Sequence, residues 1–286
     1  METLNDMVAG FLVGLQGSTH EAYRIVLRSW LAWCSVNGID ALHARSMHVE
    51  AFTSRRGRNG KPTLRSKRNA ISIIDLFYRY LVAEGFTDRN PAVNVRRPRI
   101  VYHSQGSFLN REQASAFLRE AHASDSLTDA LCTLLLLTGC RISEALGLKI
   151  EDCHLDDDVP WVLFHRKFDW MQRVAIPKQV VDALRRHIGR RKHGRVFKAK
   201  RGGRMYGENC AGLISSVALN VGVPDITPHS LRRSFCTLSR DAGIPDKDIM
   251  AAGGWKTPQM LEYYDMSARS MSGIVGNGLQ EFLAEE

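Results

Sequence analysis

The chain carries no CxxC or HExxH pairing, no apolar run of membrane-crossing length, no internal repeat and no low-complexity block. Each absence removes a class of protein. Six cysteines, at 34, 132, 140, 153, 210 and 236, have no regular framework, and several sit inside apolar patterns, so reduced core thiols are expected. Ten histidines are scattered without ligand spacing, so neither a metal nor another cofactor is expected. The longest apolar stretch, "LCTLLLLTG", stops at Gly139, well short of the roughly 18 to 20 residues a membrane span needs. The opening "METLNDMVAG" lacks the basic stretch and apolar core of a secretory leader. A cytoplasmic protein with no membrane partner is expected.

What is present is positive charge. The formal net charge is +9, the balance of a protein with a polyanionic partner. Residues 1–100 hold 15 Lys and Arg against 8 Asp and Glu, whereas the remainder holds 24 against 22. Two stretches concentrate it. Arg45 to Arg68 contains Arg45, Arg55, Arg56, Arg58, Lys61, Arg65, Lys67 and Arg68 with one acid, and Arg190 to Arg204 contains eight basic residues and none. Such a stretch is either a solvated loop or a phosphate contact. The first leads straight into a long helix whose opening turns are lined with Lys and Arg, which favours nucleic acid.

The 286 residues suffice for one large domain or two ordinary ones, and 44% hydrophobic composition marks a folded chain. Ser18 and Glu21 form an S-x-x-E capping pattern, after which Tyr23, Leu27, Trp30, Leu31 and Cys34 recur at helical spacing until Gly38. A second helix is predicted from Thr63 to Glu84, with Ile71, Ile74, Tyr78, Leu81 and Val82 on its apolar side. The first part, residues 1–92, reads as an all-helical bundle. The segment "RNPAVNVRRPRIVYHSQGS" has no period and reads as a linker over 93–107. Beyond it, 108–286 reads as helices in "FLNREQASAFLREA" and "SLTDALCTLLLLTG", a strand pair in "WVLFHRKFDWMQRVAIP", and four further helical segments. The fold class is mainly α with a small antiparallel sheet.

Four motifs carry chemistry. In "TPHSLRRSF", Thr227 suits an N-cap and Pro228 a first helical residue, which stacks His229 one turn from Arg232 at the helix opening. Leu231, Phe235, Leu238 and Ala242 form that helix's buried stripe. An imidazole and a guanidinium there suit a phosphate, because free amides and the helix dipole add to their donors. In "TGCRISEALGLK", Gly139 ends one helix and Arg141 projects from the break with Glu144 three residues on. The others are "GGW" and a tyrosine nine residues after that tryptophan, in a helix capped by Thr257 and opened by Pro258.

In this order, from residue 108 to about 270, the motifs resemble the tyrosine recombinase (phage integrase) family, and the basic helical front part resembles that family's core-binding domain. The resemblance assigns Arg141 and Arg232 to the pair that clamps the scissile phosphate, and His229 to the histidine beside them. Trp255 falls where most members have a second histidine, as in Cre-like members. Its indole N–H donates but cannot relay a proton. Glu144 matches an acid that holds neighbouring catalytic groups, and Lys167 is the best match to the hairpin lysine, with Arg166 adjacent and the usual glycine-rich turn missing. The register selects Tyr264 over Tyr263, which spacing alone does not. A phenol of pKa about 10 is a poor nucleophile at neutral pH, so the site must stabilise phenolate and phosphorane.

The resemblance further implies a site-specific recombinase or integrase of a phage or mobile element, forming a 3′-phosphotyrosyl intermediate without metal or ATP. Lys167 would be the acid for the leaving 5′-oxygen. The implied partners are double-stranded DNA attachment sites, a homotetramer on two duplexes, and an accessory protein that sets direction. The basic residues Arg55, Arg56, Arg58, Lys61, Arg65, Lys67 and Arg68 would contact DNA, and the bound protein would lie with the nucleoid. A tail with Leu279, Phe282 and Leu283 at i, i+3, i+4 would dock on a neighbour or on its own domain. The other classes weighed are a non-catalytic DNA-binding regulator of this fold and a relaxation topoisomerase.

Overall fold

The computed structural model describes residues 3–55, 60, 62–99, 107–166, 170–199 and 202–264, without the side chains of Ser18, Tyr263 and Tyr264. Arg56, Arg58, Lys61 and Lys167, part of the linker, and the tail residues Leu279, Phe282 and Leu283 lie outside them. The chain divides into two compact units, 1–102 and 103–286.

The first unit is helical: α1 (Leu4–Leu12), α2 (Gly17–Val36), a 3₁₀ turn at Ala41–His43, α3 (Ser46–Ser54) and α4 (Leu64–Ala83). Thr63 caps α4 through its hydroxyl, which accepts from Ser66 N–H at 3.1 Å, and Gly85 just beyond takes φ +76°. Ile71, Ile74, Tyr78 and Leu81 are buried as the period requires, joined by Ile73 and Phe77. Val82 is 40% exposed, because the neighbouring helices cover a face centred one residue earlier. The α2 start also differs from expectation. The helix begins at Gly17 with Gln16 as N-cap, and Glu21 accepts Nε and Nη2 of Arg24 instead of closing a box. At the centre, Trp30 Nε1 donates to Tyr78 Oη at 3.2 Å, and Tyr78 in turn donates to the Ala41 carbonyl at 2.5 Å. This relay satisfies the polar tips of two fully buried aromatics.

The second unit is α+β: α5 (Arg111–Ala123), α6 (Ser126–Thr138), α7 (Ile142–Gly147), then β1 (Cys153–His154), β2 (Trp161–His165) and β3 (Met171–Ala175) in an antiparallel sheet of order β1-β2-β3. Val162 pairs with Val174, and both face the core with Phe164. Five helices follow among the described residues where four were expected: α8 (Lys178–Ile188), α9 (Gly207–Asn220), α10 (Pro228–Asp241), α11 (Asp246–Gly253) and α12 (Pro258–Tyr264). The core is built around α6, buried on nearly every side, against Phe117, Phe164, Leu184, Phe197 and Leu231. No described helix is long and apolar enough to cross a membrane.

Five of the six free cysteines are buried, and Cys153 is half-buried. Burial pushes the Cys140 thiol up to about 12, so it is neutral and inert at ordinary pH.

Helix α6 stops at Gly139, which takes φ +60°, and a Cβ there would overlap the Phe235 ring. Gly139→Ala therefore meets both a left-handed backbone and an occupied space. We expect it to cost about 3 kcal/mol, read as a lower urea midpoint at unchanged slope.

Candidate functional site

The break after α6 presents the first functional group. Cys140 is buried and anchors the chain, so Arg141 emerges as the N-cap residue of α7. Its backbone N–H donates to Glu144 Oε2 at 2.9 Å, and its Nη1 donates to Glu144 Oε1 at 2.8 Å. The arginine side chain is 32% exposed and the glutamate 4%. A buried carboxylate thus fixes an outward-facing guanidinium. Behind it lies a second cation: Arg166 Nη1 is 3.6 Å from Glu144 Oε2 and the Arg166 side chain is 1% exposed. Removing the carboxylate strands that buried charge. Glu144→Ala is expected to destabilise the protein by about 3–5 kcal/mol. A thermal or urea unfolding series measures it, with Glu144→Gln as the milder control.

Helix α10 presents the second group. Thr227 Oγ1 accepts from Ser230 N–H at 3.1 Å and Pro228 sits at the helix start, as the sequence indicates. His229 occupies the exposed opening turn, and Arg232 lies one turn further on, 2% exposed. Arg232 Nη1 donates to the Gly139 carbonyl, and its guanidinium carbon lies 4.0 Å over the centre of the Trp255 ring. Those two contacts join "TGCR", "HSLRR" and "GGW", segments far apart in the chain. The stripe on α10 is broader than its period implied. Ser230, Ser234, Cys236 and Thr237 are buried beside Leu231, because α6, α11 and α12 all pack on this helix, while Phe235 and Leu238 are half-buried and Ala242 is the C-cap and exposed.

Trp255 follows α11, which ends at Gly254 in the left-handed region at φ +67°. The indole is buried and stacks on Phe235 with centroids 6.2 Å apart. Arg240, on α10, pins the start of α11 through a bidentate pair to Asp246, with Nε to Oδ1 at 2.8 Å and Nη2 to Oδ2 at 2.6 Å. Thr257 then precedes α12, whose last residue is Tyr264. Leu261, one turn earlier, is fully buried.

Three assigned residues, Arg141, Arg232 and Trp255, are thus brought together with Glu144. His229 opens the helix that carries Arg232. The sequence marks Arg166 only as the neighbour of Lys167, which leaves its burial between two elements unforeseen. The one hint was the consecutive glycines of "GGW", which leave room for something to pack against the backbone.

The basic stretches divide into two kinds. Arg55 is held by its neighbours: it donates to the Phe52 carbonyl at 2.6 Å and to Ser29 Oγ at 2.7 Å, lies 3.6 Å over the Phe52 ring, and has its pKa lowered by burial. Lys67 Nζ donates to Ser54 Oγ at 2.7 Å. Arg65 and Arg68 are exposed on the first turns of α4. In the second stretch, Arg191 donates to the carbonyls of His187, Ile188, Arg195 and Val196, and Arg195 to that of Leu146. Those arginines hold a loop together. Among the described residues no cluster of His, Cys, Asp or Glu could hold a metal ion.

Outward Arg141, the opening turn of α10 with His229, and Arg232 braced by an indole are donor types that suit a tetrahedral oxyanion. The fold around them is that of solved recombinases. XerH site-specific recombinase bound to palindromic difH substrate superposes with a TM-score of 0.71 at 17% identity, over 91% of this chain and 79% of that one. A lambda integrase dimer bound to a COC' core site does so with a TM-score of 0.71 at 17% identity, over 94% of this chain and 97% of that one. This is a tyrosine recombinase fold. The Phage integrase family model matches residues 107–271, and the Phage integrase N-terminal SAM-like domain model matches 14–85. The chain belongs to the phage integrase family, site-specific recombinases that cleave and rejoin DNA strands through a tyrosine. Its relatives include tyrosine recombinase XerD of Chlorobaculum tepidum, 26% identical over 79% of this chain and 78% of that protein. Another is the virulence plasmid integrase pGP8-D of Chlamydia muridarum, 31% identical over 56% of this chain and 49% of that protein.

Proposed function

We propose that the chain recombines double-stranded DNA attachment sites, with Tyr264 as nucleophile. Its phenolic oxygen loses its proton to solvent and attacks the scissile phosphorus, forming the P–O bond of a 3′-phosphotyrosyl ester and expelling the 5′-oxygen, which takes a proton from Lys167. Arg141 and Arg232 neutralise the equatorial oxygens, His229 and the Trp255 indole add donors, and Glu144 aims Arg141. A 5′-hydroxyl of the partner duplex then attacks the same phosphorus and releases the phenol. The ester conserves the energy of the broken bond, so rejoining needs no ATP.

Residues 1–92 act as the core-binding domain, 93–107 as a linker and 108–286 as the catalytic domain with its tail. Exposed Arg65 and Arg68, with Arg56, Arg58 and Lys61, meet phosphates, and Arg55 and Lys67 shape that surface from within. Four copies act on two duplexes, with an accessory protein setting direction. The element served is a phage or other mobile DNA, in the cytoplasm at the nucleoid.

The observation that carries this reading is the contact between Arg232, Trp255 and the Gly139 carbonyl, which gathers three separated motifs at one point. The test is a nicked attachment-site duplex that loses its 5′-hydroxyl fragment on cleavage, incubated in EDTA and digested for mass spectrometry. The nucleotide remnant is expected on Tyr264. A remnant on another side chain, or cleavage that requires a divalent ion, overturns the mechanism, and absence of any adduct supports the regulator. Plasmid relaxation without strand exchange supports the topoisomerase.

A further inference from the structure

We infer that Arg166 is a positioning residue for strand cleavage, locking the Arg141–Glu144 pair to the turn that carries Trp255. This rests on the reading in which Arg141 and Trp255 face the phosphate.

Arg166 leaves β2 directly, and its backbone N–H donates to the Trp170 carbonyl at 2.8 Å, closing the hairpin on itself. The side chain then turns away from solvent. Nη2 donates to the Ala252 carbonyl at 2.8 Å, in the last turn of α11. Nη1 faces Glu144 Oε2 at 3.6 Å. The guanidinium carbon lies 5.7 Å from the centre of the Phe164 ring and 5.6 Å from that of Trp170. Gly254 passes so close that any Cβ there would overlap Nη1. A second side chain pegs the same helix end: Gln172 Nε2, on β3, donates to the Ala251 carbonyl at 2.6 Å. The hairpin thereby caps the C-terminal carbonyls of α11, groups that a helix leaves without internal partners.

These contacts close a circuit. Arg141 is held by Glu144, Glu144 faces Arg166, and Arg166 bonds Ala252. Three residues on, the Trp255 ring carries Arg232, and Arg232 returns to the carbonyl of Gly139, two residues before Arg141. In Arg166, Nε and Nη1 are both buried without a hydrogen-bond partner among the described residues. Burial lowers its pKa, with Glu144 opposing that shift and Arg141 adding to it. A buried cation whose Nε makes no hydrogen bond and whose Nη1 has only an ion pair is a poor way to fill space, and an apolar side chain would pack there at less cost. What an apolar side chain could not do is hold a carboxylate and a helix-terminal carbonyl at once.

The test uses the full chain and the nicked duplex, with adduct formation followed in single turnover across a range of DNA concentrations. Arg166→Met, Arg166→Lys, Glu144→Gln and the charge-neutral double variant Arg166→Met with Glu144→Gln are compared, and circular dichroism reports folding. Arg166→Met is expected to lower the saturated rate about 100-fold while the half-saturating DNA concentration stays near wild type. Arg166→Lys, which keeps the charge but reaches only one partner, recovers part of the rate. The double variant is no slower than the slower single one, because the residues act as a unit. A wild-type saturated rate in folded Arg166→Met, a loss confined to half-saturation, or additive losses in the double variant would each overturn the inference. Should Arg166→Met fail to fold, a wild-type rate in Arg166→Lys does the same, and a reduced saturated rate supports it. Absence of adduct in the wild-type protein removes the underlying reading instead, and the inference with it.

Discussion

Tyr264→Phe is expected to abolish covalent attachment to a nicked attachment site, by roughly 10⁴-fold or more, since phenylalanine has no oxygen to esterify. Tyr263→Phe should keep most of it. The two residues are adjacent on α12, at consecutive helical positions about 100° apart. Tyr264 follows Leu261 by one turn, and the Leu261 backbone is tied to α10, its carbonyl accepting from Cys236 Sγ at 3.6 Å. Tyr263 instead follows Met260, which is 38% exposed. Denaturing gel electrophoresis of a labelled duplex separates the outcomes. Loss in Tyr263→Phe with retention in Tyr264→Phe would shift the register by one residue and remove the assignment.

The second large effect is expected at Arg232. Lysine in its place keeps a charge but cannot both donate to the Gly139 carbonyl and lie flat on the indole. Removing a preorganised donor of this kind costs about 10² to 10³ in the rate of cleavage. Loss of a desolvated cation–π contact adds about 2 kcal/mol of destabilisation. Saturated single-turnover rates and urea unfolding read the two effects separately. Because the guanidinium is braced by protein groups on two sides, DNA binding should change much less than cleavage. A folded Arg232→Lys variant with the wild-type rate would show that the buried arginine is not at the reacting phosphate.

Much of the fold is legible wherever a local rule decides it. Thr63, Thr227 and the glycines at 85 and 139 announce helix ends because capping and left-handed turns depend on a few adjacent atoms. Helix α3 and the two-residue β1 escape notice, since each is held chiefly by what packs upon it; the short α1 does carry a local signal, the Thr3–Asp6 capping box, which the sequence reading passes over. The same holds for the site. Arg141, Glu144, Arg232 and Trp255 are readable as ordered motifs, whereas Arg166 finds its partner 86 residues away at Ala252 and has no local signature. Arg55 shows the same limit: in the sequence it is one charge of a basic stretch, and its bonds to Phe52 and Ser29 are visible only in the fold.

Helix α6 has a consequence for biosynthesis. Residues 126–138 bury ten of their thirteen side chains, and much of what covers them comes from α8, α9 and α10, which the ribosome delivers later. The nascent chain therefore exposes the leucine-rich end of this helix until α10 emerges, a window in which chaperone capture competes with aggregation.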